Sequence, residues 1–175
     1  MIWFIRLTKL SAIVLMLVII QLIIFSVLPS PFSSLNLMFV FLVLFMFRKE
    51  AGGVVWIAFG TQFFAELYAA TPFGVLLFSG TISTLLSYWL FQQVFTNRSW
   101  YSGMAVCMCA LFIYRLFYTS LLFGIQLISR APTIPPLFLL RVYGWELVLT
   151  TILTGLAYLI SDALAKPKRP FVLLR

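Results

Sequence analysis

Four carboxylates stand among 175 residues that are 63% hydrophobic, and their surroundings single out the side chains that could do chemistry. Glu66 lies deep in the apolar run GGVVWIAFGTQFFAEL, which carries Gly52, Gly53 and Gly60 and is followed by Pro72, Phe73 and Gly74. A carboxylate at such a depth costs about 2.5 to 3.5 kcal/mol on insertion scales, so a bundle interior or a polar partner has to hold it. Arg115 poses the same problem with the opposite sign, inside a run flanked by Tyr114, Phe117 and Tyr118. A guanidinium there must snorkel, pair or stack on aromatic faces. Glu146 and Asp162 stand near the two ends of the last apolar run, and Glu50 sits beside Arg48 and Lys49.

The remaining inventory is poor in catalytic groups. There is no histidine, which removes the commonest general base and the commonest metal ligand. Cys107 and Cys109 are two apart in an apolar run, so on a helix they face different directions and read as packing rather than as a redox pair. No two carboxylates stand at helical spacing and no nucleophile elbow is present. This reading contains no catalytic residue, metal site or cofactor, and the protein is not expected to be an enzyme.

The elements that must position these residues follow from composition. With 9% charged residues and a mean hydropathy of +1.12, the chain cannot present a soluble surface, which needs about a quarter of its residues charged. The expected class is all-α, a polytopic membrane helix bundle of about six transmembrane helices in one domain, 1–165, with a basic tail, 166–175. The net charge of +8 does not point to nucleic acid, because the cations cluster at the ends of apolar runs and form no stripe. They read as topology signals and as contacts to anionic lipid, above all in the tail KPKRPFVLLR.

The first span is expected over 10–28, a retained helix rather than a signal peptide, since it ends in Pro29-Ser30-Pro31 without a small-residue cleavage site. The second, 35–47, is short of the roughly twenty residues of a straight span and must be shielded by the bundle. The third and fourth, 51–70 and 73–95, are separated by little more than Thr71-Pro72, which makes them antiparallel neighbours. On the fourth, Gly80, Ser83, Thr84 and Ser87 fall on one helical face. In lipid such a stripe is a packing surface, and the alternative is a polar lining for a ligand cavity. Residues 96–99 read as a polar turn. The fifth span is 102–128, and the prolines of 129–141 predict an interfacial loop without regular helix. The sixth is 142–165.

With the N-terminus inside, nine cations lie on the cytoplasmic side and two, Arg130 and Arg141, outside, so both termini are expected in the cytoplasm. The third and fifth spans then run the same way, and at about 1.5 Å per residue Glu66 and Arg115 share a depth. If the two helices are neighbours, the charges pair, with Gln62 joining from one turn below Glu66. Otherwise each reaches an interface or a crevice separately. Glu146, within one or two turns of the same level, is the competing partner for Arg115.

Several of these features together resemble the bacterial rod-shape-determining MreD family. They are six short spans, Ile20-Gln21 in the first, Asn36-Leu37 opening the second, Gly60 and Glu66-Leu67 in the third, and the short turn Ala69-Ala70-Thr71-Pro72 leading to Phe73-Gly74. The resemblance covers 10–99 and is weaker beyond. It departs in having Glu66 where that family usually has aspartate, and in a looser first loop at Leu28-Pro29-Ser30-Pro31. The resemblance implies a non-enzymatic scaffold of the cell-elongation machinery in the bacterial inner membrane. Its implied partners are an MreC-like protein, an MreB-like actin homologue, a RodA-like glycosyltransferase and a class B penicillin-binding transpeptidase. The family is also similar in fold to the substrate-binding subunits of energy-coupling-factor vitamin transporters, which implies the alternative function. Glu66, Gln62, Arg115, Phe73, Gly74, Gly60, Gly80, Ser83, Thr84 and Ser87 are the residues expected to be structural or to meet partners.

Overall fold

Apolar runs broken by glycine, proline and polar turns fold into six α-helices among the described residues. The structure, a computed structural model, describes residues 2–30, 32–49, 52–95, 99–129 and 136–165. The helices are α1 (Ile2–Val27), α2 (Leu37–Lys49), α3 (Gly53–Leu67), α4 (Val75–Gln93), α5 (Trp100–Ser129) and α6 (Pro136–Ala165), with a 3-10 turn, η1, at Phe32–Ser34 between the first two. No strand occurs among the described residues. The fold is all-α, as the composition required. Helices α4, α5 and α6 each hold a stretch long and apolar enough to cross a membrane.

Helix α2 is the shortest, with 13 residues, and it occupies the centre. It packs against α1, α3, α5 and α6, and Phe39, Leu42, Val43, Met46 and Phe47 along it are all buried. A helix buried on every side can be apolar all round, which is how a segment too short to span is accommodated. Its N-terminal end is level with Glu146 and Thr150 of α6, because Asn36, just before Leu37, hydrogen-bonds both. Its last turn reaches Ser161, whose carbonyl accepts from the Arg48 guanidinium at 3.2 Å. Helices α2 and α6 therefore run side by side and parallel.

Two outcomes differ from the expectations, and a third settles what they left open. Helix α6 begins at Pro136, so 136–141 is helical where an irregular loop was expected. Proline is well suited to the first helical position, since its missing N–H would have no partner there. Residues 130–135, the turn residues 96–98 and the basic tail lie outside the described residues. Helix α3 stops at Leu67, three residues before the expected end. Helix α4 lies between α3 and α5 and packs extensively against both, and this decides the fate of the two charges.

Candidate functional site

Glu66 occupies the last turn of α3, is 3% exposed, and spends its carboxylate on backbone. The Gly74 N–H donates to Oε1 at 2.7 Å and the Leu76 N–H to the same oxygen at 3.2 Å, while the Leu77 N–H donates to Oε2 at 3.0 Å. These are amides at the start of α4, the groups a helix cannot satisfy internally. The negative charge also sits at the positive end of the α4 dipole. Gly74 makes this approach possible, because its φ of 103° is left-handed, a conformation that costs other L-residues about 1 to 2 kcal/mol. Glu66 thus pins α3 to α4 across the seven-residue turn 68–74.

The expected Glu66–Arg115 pair does not form. Arg115 reaches Glu146 instead: its Nε donates to Oε2 at 2.5 Å and its Nη2 pairs with the same oxygen. With α4 between α3 and α5, a common depth does not bring Glu66 and Arg115 together. Glu146 is 2% exposed and its other oxygen, Oε1, accepts from Asn36 Nδ2 at 3.1 Å. Asn36 caps α2, taking the Phe39 N–H on Oδ1 at 3.4 Å, and its own N–H donates to Thr150 Oγ1 at 3.1 Å. Gln21 completes the network from α1, donating to the Leu35 carbonyl and accepting from the Leu37 N–H, each at 2.8 Å. Four helices are joined at one polar node.

Aromatic faces complete the shell of the cation. The Arg115 Cζ lies 4.3 Å from the Tyr143 ring centroid, 5.1 Å from Tyr114 and 5.4 Å from Tyr118. Each such contact is worth about 0.5 to 2 kcal/mol, more where water is excluded. Beside the node is a cavity of about 280 Å³, lined by Gln21, Asn36, Gln62, Tyr114, Arg115 and Tyr118 among others. Gln62 is 2% exposed and does not bond Glu66 as expected. Its amide makes no hydrogen bond among the described residues.

The small-residue stripe of α4 is a packing surface. Ser83 donates to the Ala110 carbonyl of α5, Thr84 to Gly80 and Ser87 to Ser83, and none of the four lines that cavity. A Cβ on Gly80 would stand 2.5 Å from Gln62 Cγ and Cδ and 2.7 Å from Nε2. Gly80→Ala is therefore expected to destabilise the bundle by about 1 to 3 kcal/mol, and adding Gln62→Ala should recover most of the loss. Melting in detergent checks this; an unchanged melting temperature for Gly80→Ala would show Gln62 swinging into the cavity.

Gly60 plays a milder version of the same role, with Val14 of α1 3.5 Å from where its Cβ would be. Phe73 is exposed and its ring meets Phe63 edge-on, with centroids 6.3 Å apart. Cys107 is buried and accepts from Thr154 Oγ1 at 3.1 Å, a packing role as expected. Among the described residues no group of three His, Cys, Asp or Glu side chains could hold a metal.

Sequence reasoning missed Thr150 and Tyr143, noted Asn36 only through the family resemblance, and noted Gln21 there and as one of the few polar residues of the first span. Asn36 had a signal of its own, an asparagine immediately before an apolar run being a helix start. The fold and the node define a helical membrane bundle held by buried polar contacts at one end. No family model, curated protein or solved structure matches the chain.

Proposed function

We propose that this protein is a non-enzymatic scaffold of the bacterial cell-elongation machinery, a multi-pass inner-membrane protein with both termini in the cytoplasm. The observation that carries the reading beyond resemblance is the α5–α6 hairpin. Both helices have 30 residues, whereas α2 begins only at the level of Glu146. From Tyr118 to Ser129, α5 stands about 16 Å clear of that level at about 1.5 Å per residue. Several apolar side chains there are exposed, Leu127 at 86% and Ile128 at 87%, with Phe123 beside them and Leu140 on α6. A large exposed apolar patch at the end of a helix pair is a surface that a protein partner can cover, and this reading assigns it to the MreC-like partner.

Depletion is expected to turn rod-shaped cells round. A Leu127→Glu, Ile128→Glu double variant should reduce co-purification of the MreC-like partner by roughly tenfold or more while melting is unchanged. Rod-shaped depleted cells, or a variant that co-purifies normally, would overturn the reading.

A second reading, the substrate-binding subunit of a vitamin transporter, is supported by the cavity, whose lining mixes amides with tyrosines as small-molecule sites do. Submicromolar binding of thiamin, biotin or riboflavin in calorimetry would decide for it.

A further inference from the structure

A second cavity, of about 470 Å³, is lined by Phe25, Ser30, Ser33, Ser34, Arg141, Val142 and Trp145. It shares Phe25, Ser33, Ser34 and Val142 with the cavity at the node, so the two form one hollow with a wide mouth and a polar floor. The mouth is lateral. Helices α1 and α6 are joined through η1 and α2, each of which packs against both, and the hollow opens sideways between Phe25 of α1 and Trp145 of α6, both exposed.

Depth tells which part of a lipid would meet it. Along α6 the distance from Arg141 to Ser161, the level of the Arg48 guanidinium, is about 30 Å at about 1.5 Å per residue, the thickness of a hydrocarbon core. Arg141 therefore stands at headgroup level, where lipid phosphate lies. Among the described residues no carboxylate pairs with it, whereas the charge of Arg115 is neutralised by Glu146. The floor adds a second requirement. Gln62, more than nine-tenths buried, lines that floor with an amide that can both donate and accept a hydrogen bond.

We propose that this hollow binds one phosphate-bearing lipid of the leaflet at that end of the bundle. Its phosphate meets Arg141 and the serines at the mouth, its hydroxylated headgroup reaches down to Gln62, and its chains leave between Phe25 and Trp145. A guanidinium with nearby hydroxyls matches phosphate oxygens in charge and geometry, and the two apolar rings match a chain. The inference is independent of the scaffold reading, since it concerns a different face from the α5 tip.

The test is titration of the delipidated full-length protein with dioleoyl phosphatidylglycerol, dioleoyl phosphatidic acid and dioleoyl phosphatidylcholine, read by native mass spectrometry, with inorganic phosphate and glycerol 3-phosphate as competitors. One phosphatidylglycerol per chain is expected. Arg141→Gln should weaken it by roughly tenfold or more, and Arg141→Lys should restore part of the affinity. Gln62→Leu should remove the preference for phosphatidylglycerol over phosphatidic acid while phosphatidic acid still binds. Phe25→Ala, at an exposed position, keeps the test open should Arg141→Gln fail to fold, and should also weaken binding of the lipid. Absence of retained lipid, equal binding by Arg141→Gln, or tighter binding of phosphatidylcholine would overturn the proposal. Free phosphate or glycerol 3-phosphate binding as tightly as the lipid would assign the hollow to a soluble anion instead.

Discussion

Arg115→Gln is expected to destabilise the bundle by about 3 to 5 kcal/mol, the cost of leaving a buried charge without its partner. The partner stranded is Glu146, which would keep only the Asn36 amide on Oε1 and lose both contacts to Oε2. Glu146→Gln strands the guanidinium in turn, although the three tyrosine rings and the cavity soften that loss. The double variant should cost less than the sum of the two, because neither buried charge then remains. Arg115→Lys should restore only part of the stability, since an ammonium lacks the planar fork that reaches Glu146 and stacks on Tyr143. Pairing Arg115→Gln with Glu66→Gln should instead give effects that add to within about 0.5 kcal/mol, as for sites that share no partner. Melting in one detergent throughout checks the cycle, and additivity between Arg115 and Glu146 would sink the pair.

Glu66→Ala is the second large effect, about 2 to 4 kcal/mol. It removes the acceptor for the Gly74, Leu76 and Leu77 amides at once, and each donor left unmet costs about 1 to 3 kcal/mol where water cannot reach it. Part of the charge-dipole gain at the start of α4 goes with it. Glu66→Gln should fall between the variant and the parent, because the amide keeps one acceptor oxygen but turns an NH2 towards a backbone N–H. Hydrogen exchange should localise the damage to the first turn of α4 and leave the Arg115–Glu146 node protected. A Glu66→Ala protein that melts within about 0.5 kcal/mol of the parent would show that water replaces the carboxylate.

These two residues also mark where the sequence was legible and where it was not. That both needed shielding and partners followed from the cost of ions in apolar runs, and the structure buries Glu66 and half-buries Arg115. Their common depth was an inference from rise per residue, a property of each helix alone. Which charge meets which was a matter of neighbours: the sequence left Glu66 and Glu146 as alternatives for Arg115, and the structure gives Glu146. The carboxylate of Glu66 went to backbone donors eight to eleven residues on in the chain, a partner class that contains no charged residue to search for.

The stripe Gly80, Ser83, Thr84, Ser87 was readable as a packing face because helical periodicity places small side chains together whatever lies opposite. That Gln62 fills the space over Gly80 was not, since it depends on the α3–α4 approach. Helix α6 misled in the opposite way. Its prolines were read as helix-breaking as a group, yet Pro136 starts the helix because position relative to the first turn, not proline content, decides the outcome.

Composition and pattern by themselves determined the class of this protein. A chain this apolar must bury nearly every side chain or face it to lipid, and proline, glycine and polar turns leave helices as the elements able to satisfy their own backbone. The tertiary structure alone decided the order in which those helices touch, because apolar faces in lipid are nearly interchangeable and close packing with a few polar contacts selects among them. That selection put α2 at the centre and α4 between α3 and α5, and so gave Glu66 to a helix end and Arg115 to Glu146.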